Sequence, residues 1–264
     1  MDERTTETAR GAGESAAFRR IGACATALAA AVVLAATGSL SACAQARQTT
    51  GHPTEPPPSA LDGCVTGPAA QLVRVAGSRI VIGLIGSGPR VVVLSNQSDE
   101  NLCSWLPFSS TLTKAGYRVA VWDYAGAAPP GELSDVVTAV RNAGGTRIVL
   151  MGASKGAKTS LVAGAQIAPA VAGVVSLSGE AVLQPATTVV DSVARLPCPV
   201  LLITADQDPY GSADASRAFL KAAPNQDKQL VTVPGTDHGT QLLDGASAGA
   251  VVPAVLAFLQ RVFG

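Results

Sequence analysis

Arg147-Ile-Val-Leu-Met-Gly-Ala-Ser-Lys-Gly156 is the stretch of sequence that decides the fold. Its apolar and β-branched first half predicts a buried strand, and the G-x-S-x-G pattern from Gly152 to Gly156 predicts a sharp turn into a helix. Glycines suit a turn that is too tight for side chains. A serine at the tip of such a turn is exposed beside free helix amides, as an activated nucleophile must be. Ser154 is therefore the candidate nucleophile, and the alternative is an ordinary glycine-rich turn with a solvent-facing serine.

A serine hydroxyl is a weak nucleophile and needs a neighbouring base. The chain has two histidines. His52 lies in a proline-rich stretch, where we expect it to be solvated, so His238 is the candidate base. Asp206 and Asp208 lie between Ser154 and His238 in the sequence, where an acid would complete the order Ser, Asp, His.

Strands and helices alternate along most of the chain. Apolar runs predict eight strands, at 71–75, 79–85, 90–94, 117–122, 147–151, 171–177, 200–204 and 229–233, and helical patterns predict helices at 102–115, 133–142, 155–167, 213–222 and 250–262. From the third strand onward the runs are continuously apolar, which predicts a mostly parallel sheet with helices on both faces. The first two strands are separated by a hairpin-length link, so we expect them to be antiparallel.

Eight strands, an initial hairpin and a G-x-S-x-G turn after the fifth strand resemble the α/β-hydrolase superfamily, particularly its serine esterases and dienelactone-hydrolase-like members. The resemblance covers about residues 70–262. It implies a three-layer α/β fold in a domain that we place at 64–264. The segment between Gly179 and Pro199 is too short for the large helical lid that many members carry, so we expect an open site.

The resemblance also assigns roles at the site. It implies that Asp208 is the acid, ahead of Asp206 and of Glu180 at the end of the sixth strand. The backbone N–H of Lys155 would be one oxyanion-hole donor, and that of Gln97 the second.

The second donor lies where this chain departs from the family. The family usually has His-Gly in the loop after the third strand, and this chain has Leu94-Ser-Asn-Gln-Ser-Asp99. Ser98 is the next choice after Gln97, and Asn96 is expected to take the positive φ that glycine would supply. We expect Asp123 to be a structural turn residue and Lys158, like the Lys155 side chain, to be solvated. The sequence indicates neither a cofactor nor a metal cluster.

The first 42 residues have the features of a secretory signal peptide. Arg19 and Arg20 precede an apolar run that ends in Leu40-Ser-Ala-Cys43. This ending resembles the bacterial lipobox, which implies cleavage before Cys43 and lipidation of its thiol. Residues 43–63 would then be a lipidated, Pro-rich tether. The alternative is an uncleaved transmembrane helix, and the paired arginines leave open whether export uses the general or the twin-arginine route.

Export implies an oxidising compartment, in which cysteines pair. The predicted strand directions place Cys198 and Cys103 near opposite edges of the sheet, beyond disulfide reach. Cys64 lies on the entry segment and can reach Cys103. We therefore predict a Cys64–Cys103 disulfide and a free Cys198.

Composition narrows the possible functions. The chain has 264 residues, with 19 basic and 19 acidic side chains and no basic cluster, which argues against nucleic acid as a partner. The sequence predicts a lipid-anchored serine hydrolase at the extracytoplasmic face of the cell membrane, acting on a small-molecule or lipid ester. Two alternatives remain: a catalytically inactive binding protein with this fold, and an acyltransferase acting on a cell-envelope acceptor.

Overall fold

The computed structural model describes residues 60–66, 70–126, 128–184 and 187–264. The predicted signal peptide at 1–42, the lipidation site Cys43 and the tether up to residue 59 lie outside these residues. Within the described part, no helix is both long and apolar enough to cross a membrane.

Eight strands form one sheet, and two short hairpins lie outside it. In chain order, the twelve strands among the described residues are β1 (Ala60–Leu61), β2 (Val65–Thr66), β3 (Ala70–Arg74), β4 (Val81–Ile85), β5 (Arg90–Ser95), β6 (Arg118–Trp122), β7 (Arg147–Ala153), β8 (Gly173–Leu177), β9 (Val182–Gln184), β10 (Thr187–Thr188), β11 (Val200–Ala205) and β12 (Lys228–Val233).

The order of strands in the main sheet is β12-β11-β8-β7-β5-β6-β4-β3. Strand β4 runs antiparallel to both of its neighbours, and every other neighbouring pair is parallel. The predicted antiparallel hairpin and the mostly parallel sheet are therefore confirmed. Strand β7 is flanked by β5 and β8, so its carboxyl end, which carries Ser154, opens near the middle of the sheet.

Helices cover both faces of the sheet. The six α-helices of the described chain are α1 (Leu106–Lys114), α2 (Pro129–Asn142), α3 (Lys155–Gly164), α4 (Val189–Val193), α5 (Ser212–Ala222) and α6 (Ala248–Phe263), and 3₁₀ helices span Leu102–Trp105 and Gly239–Leu243. Helices α2 to α5 contribute to one hydrophobic core, and α1 and α6 contribute to the other.

Alternation within the strands explains why both faces are covered. Side chains of successive strand residues point to opposite faces, and in β5 Val91 and Val93 belong to one core while Val92 and Leu94 belong to the other. All four are fully buried. A strand that is apolar at every position needs helices on both sides, as the prediction assumed.

The structure adds two features that the sequence did not predict. Strands β1 and β2 form a hairpin, so among the described residues regular structure is already present at Ala60, ahead of the domain boundary placed at 64. Between β8 and β11, the described residues form the β9–β10 hairpin and the five-residue helix α4. This short segment stands where a larger lid would be inserted.

Candidate active site

Ser154 lies in a strained turn between β7 and α3. Its φ is 50° and its ψ is −112°, a region that non-glycine residues rarely adopt. The two flanking glycines are required by close backbone contacts. A Cβ on Gly152 would lie 2.1 Å from the Gly156 carbonyl oxygen, and a Cβ on Gly156 would lie 2.0 Å from the Ser95 carbonyl oxygen. The tightness inferred from the sequence pattern is present in the backbone.

Asp208 and His238 form an acid–imidazole pair. Asp208 follows β11 and His238 follows β12, and these strands are parallel neighbours, so both loops leave the same edge of the sheet. The Asp208 Oδ2 atom lies 2.8 Å from His238 Nδ1. The Asp208 side chain is fully buried, and 14% of the His238 side chain is exposed. A buried carboxylate on Nδ1 leaves Nε2 as the nitrogen that is available for proton transfer.

Hydrogen bonds keep the buried Asp208 ionised. Burial by itself raises the pKa of this carboxyl, but hydrogen bonds from Ser212, Tyr210, His238 and Ser178 outweigh burial and lower the pKa below its usual value. The Ser212 hydroxyl donates to Oδ2 at 2.6 Å, and the Tyr210 backbone N–H donates to Oδ1 at 2.9 Å. Asp208 therefore carries a negative charge facing the imidazole.

The other two candidate acids lie in different surroundings. Asp206 is exposed, and its Oδ1 accepts the Gly235 backbone N–H at 2.9 Å, which joins the two loops that follow β11 and β12. Glu180 lies on the opposite side of the imidazole from Asp208, with its Oε1 atom 4.0 Å from His238 Nε2. Of the three acids, Asp208 makes the contact with Nδ1.

Glu180 is the partner of the candidate nucleophile. The Ser154 hydroxyl donates to Glu180 Oε1 at 2.9 Å, and the Lys158 ammonium donates to Oε2 at 2.6 Å. The expectation that Lys158 is solvated is wrong, because its side chain is 10% exposed and forms an ion pair with Glu180. Lys155 is half-buried as well, with Nζ 4.2 Å from the centre of the Tyr124 ring.

The predicted oxyanion donors lie on two adjacent segments. Lys155 is the first residue of α3, where backbone N–H groups have no carbonyl partner within the helix. The loop carrying Gln97 follows β5, and Ser95 of that strand pairs with Gly152 of β7. Gln97 also holds the histidine loop, because its Oε1 accepts the Thr240 backbone N–H at 3.1 Å.

Asn96 does not have the positive φ that we expected. It is buried, with an exposed fraction of 1%. Its side-chain amide donates to the Trp122 carbonyl oxygen at 3.0 Å and to Asp123 Oδ1. Asn96 thus fixes the loop after β5 by joining it to the end of β6. The loop is held by these side-chain hydrogen bonds and not by a residue with a positive φ.

The contacts of Asp123 are those of a structural turn residue. Its Oδ1 accepts the Leu102 backbone N–H at 2.8 Å in addition to the Asn96 amide. Burial, followed by a hydrogen bond with Asp62, raises the pKa of Asp123 to about 7. No group of three or more side chains able to hold a metal ion occurs in the part of the chain that the structure describes.

A disulfide joins Cys64 and Cys103, whose Cα atoms lie 5.9 Å apart. It links the turn of the β1–β2 hairpin to the 3₁₀ helix that follows the Gln97 loop. Cys198 is free and buried, and burial raises the pKa of its thiol to about 12. This is the pairing that the sequence led us to expect.

Three supporting side chains were missed by sequence reasoning. The Ser178 hydroxyl accepts the Gly239 backbone N–H at 3.1 Å and contacts Asp208. The Ser212 and Thr204 hydroxyls lie 2.6 Å apart, which extends the hydrogen-bonded chain behind the acid. A serine four residues after Asp208, at the start of a predicted helix, was the one available signal for Ser212.

Comparison with known proteins identifies the architecture. No family model and no curated protein matches the chain in sequence. Solved structures do match in fold. The monoacylglycerol lipase of Paleococcus ferrophilus matches with a TM-score of 0.61, 16% identity and coverage of 70% of this chain and 100% of its own.

Two further solved structures match similarly well. The enol-lactonase of Burkholderia xenovorans has a TM-score of 0.61 at 16% identity, covering 72% of this chain and 100% of its own. The dienelactone hydrolase of Anabaena variabilis has a TM-score of 0.59 at 18% identity, covering 73% and 96%. With the strand order and the nucleophile turn described above, these matches establish that the chain has the fold of the α/β-hydrolase superfamily.

Proposed function

We propose that the chain is a serine hydrolase that cleaves a carboxylic ester through an acyl-enzyme intermediate. The observation that carries this proposal is the 2.8 Å contact between Asp208 and His238 at the same sheet edge as the strained turn of Ser154. The structural neighbours named as a lipase, a lactonase and a dienelactone hydrolase support the same class of reaction.

The proposed reaction has two halves. Ser154 Oγ attacks the ester carbonyl carbon while His238 Nε2 accepts the hydroxyl proton, and the imidazolium then gives that proton to the departing alcohol. Water repeats the sequence on the acyl-enzyme and releases the acid. Asp208 stabilises the imidazolium in both halves. The backbone N–H groups of Lys155 and Gln97 are the proposed donors to the oxyanion, and each such donor is typically worth about 3 kcal/mol of barrier.

A cleft beside the histidine loop offers room for an apolar part of the substrate. It has a volume of about 310 Å³ and begins at Thr240, two residues after His238. Its wall includes Pro107, Phe108 and Leu243. We propose that a short acyl or alkyl chain lies here, and hydrolysis rates for esters of increasing chain length would test this.

We also propose that the protein is anchored by lipid on Cys43 at the extracytoplasmic face of the membrane. The lipobox-like sequence before Cys43 supports this proposal. The Cys64–Cys103 disulfide supports export, since disulfides persist mainly in oxidising compartments. Two acyl chains on one residue would give stable anchoring, where a single chain is marginal.

The decisive experiment is labelling by a fluorophosphonate, which reacts with activated serines. Ser154→Ala should abolish both labelling and ester hydrolysis, and His238→Ala should do nearly the same. Asp208→Asn should lower kcat by about 10⁴-fold, because an amide leaves the imidazole in the wrong tautomer. Asp206→Asn is the matched control, since it changes an exposed aspartate two residues away and should have little effect.

The same experiment distinguishes the alternatives. A wild-type protein that neither labels nor hydrolyses any short ester would be a binding protein with a hydrolase fold. A protein that labels fully, but releases product only when an alcohol acceptor is added, would be an acyltransferase. If Glu180→Gln rather than Asp208→Asn removed activity, the acid would be Glu180.

A further inference from the structure

The Ser154 hydroxyl is hydrogen-bonded to Glu180 and not to the base that the proposed reaction requires. It donates to Glu180 Oε1 at 2.9 Å, whereas the proposed reaction requires its proton to pass to His238 Nε2. The same Glu180 oxygen lies 4.0 Å from His238 Nε2. The carboxylate therefore stands beside both reacting groups, and it holds the hydroxyl of the unliganded protein away from the base.

Glu180 is itself held in place. Lys158 donates to its other oxygen, Oε2, at 2.6 Å. Lys158 lies one helical turn after Ser154, and its side chain is 10% exposed, against 25% for Glu180. A charged hydrogen bond between two largely buried groups fixes the carboxylate, and Oε1 is left to accept the Ser154 hydroxyl.

Attack of Ser154 on the substrate changes what Glu180 Oε1 can bind. Once the Ser154 proton has moved to His238 and the Oγ–carbon bond has formed, Ser154 has no hydrogen left to donate. Oε1 has then lost the Ser154 donor, and the protonated His238 Nε2, 4.0 Å away, is directed to the departing alcohol; leaving an ionised acceptor without a close donor is costly. A donor supplied by the substrate would restore the bond, whereas an anionic substituent would be repelled.

We propose that Glu180, fixed by Lys158, selects esters that carry a hydroxyl or amino donor close to the scissile carbonyl. This inference rests on the proposed function. The donor of the substrate displaces the Ser154 hydroxyl from Oε1, and the freed hydroxyl turns to His238. Glu180 remains a carboxylate throughout, and the proton moves from Ser154 to His238 and on to the leaving alcohol.

The test uses matched esters and full-length protein. Ethyl 2-hydroxy- and 3-hydroxybutanoate are compared with their methoxy counterparts, which keep the acceptor oxygen, lose the donor and are larger by one methyl group. Wild-type protein should prefer a hydroxy ester over its methoxy counterpart by about tenfold or more in kcat/KM. Glu180→Ala should reduce that preference to near unity, largely by slowing the hydroxy ester.

Fluorophosphonate labelling supplies an independent readout, because the probe has no donor. Glu180→Ala should label faster than wild type, since the hydroxyl is no longer held, and a merely structural role would give slower labelling. Glu180→Gln keeps an acceptor oxygen and a similar shape, so its labelling rate should lie between the two. Asp214→Asn, which breaks an exposed ion pair with Arg217, is the control for loss of a carboxylate.

The outcomes separate this inference from the proposed function. A wild-type protein that does not label refutes the proposed function and the inference with it. A wild-type protein that labels but shows no preference for hydroxy over methoxy esters refutes the inference alone. A preference for hydroxy esters that survives in both Glu180 variants also refutes the inference alone. Thermal unfolding is used to show that these variants are folded.

Discussion

Replacing Gly156 by alanine would test how closely the nucleophile turn packs against the oxyanion loop. The added Cβ would lie 2.0 Å from the Ser95 carbonyl oxygen, and real Cβ contacts shorter than 3.0 Å essentially do not occur. The loop after β5 must therefore retreat by about 1 Å. That loop carries Gln97, whose backbone N–H is the proposed second oxyanion donor, so the retreat weakens a bond that matters most in the transition state.

Two magnitudes follow from this displacement. A misplacement of about 1 Å at a reacting centre can cost about 10²-fold in rate, so Gly156→Ala should lower kcat and the rate of fluorophosphonate labelling by about that factor. Forcing a methyl group into a filled site costs about 1–3 kcal/mol of stability. The loss of rate is measured by a quenched time course of fluorophosphonate labelling. The loss of stability is measured by urea unfolding followed by circular dichroism.

Gly131 provides the matched control. It lies in the first turn of α2, and a Cβ there would meet no atom within 4 Å. Gly131→Ala should leave labelling unchanged and raise the free energy of unfolding by up to about 1 kcal/mol, because alanine loses less backbone entropy. If Gly156→Ala labelled at the wild-type rate with unchanged stability, the close approach of Ser95 to α3 would be wrong, and with it the position of the oxyanion loop.

Three further predictions concern single side chains. Ser212→Ala removes a donor to Asp208, so the pKa of Asp208 should rise from its lowered value. The stabilisation from Asp208 is complete above the ordinary pKa of an aspartate and is lost as the pH falls through the lowered one, so in the variant it should be smaller and the acid-unfolding midpoint should lie at a higher pH. The contribution of Asp123 to stability depends on pH in the opposite direction, because the pKa of this carboxyl is raised to about 7. Its contribution to stability is complete below about pH 4 and is lost as the pH rises to about 7. Across this pH range, the free energy of unfolding of Asp123→Asn, measured with urea, should fall by about 1 kcal/mol less than that of wild type. This value is reduced for the partial exposure of the carboxyl. Cys43→Ala should move the protein from the membrane to the soluble fraction, and retention in the membrane with residues 1–42 intact would favour the transmembrane reading.

The sheet was predictable because its physical signal is local. Four consecutive valine and leucine residues after Arg90 are compatible with a strand buried on both faces, and the helical patterns between strands left few arrangements open. The turn at Ser154 was predictable for the same reason, since two glycines flank it within five residues. Asp208 was favoured over Asp206 through family resemblance, and the structure places Asp208 on the imidazole.

The unpredicted features depend on contacts between distant segments. Lys158 has the sequence context of an exposed helix-start cation, and it is buried because Glu180, 22 residues away, meets it at the sheet edge. Asn96 was expected to supply backbone freedom, and its amide instead bonds to the end of β6, 26 residues later. The β1–β2 hairpin has two residues per strand, too few for an alternating pattern to be recognised.

The tilted contact between the Tyr210 and His238 rings gives the protein a built-in NMR reporter. The two ring centres are 4.4 Å apart and the planes are inclined by 48°, so the ring current of the phenol must shift the resonances of the imidazole protons. A chain with two histidines gives a nearly empty imidazole region in a spectrum of selectively labelled protein. Each imidazole contributes two carbon-bound ring protons, so one of the two pairs of signals reports directly on the base, and proton transfer and acylation can be followed there without any attached probe.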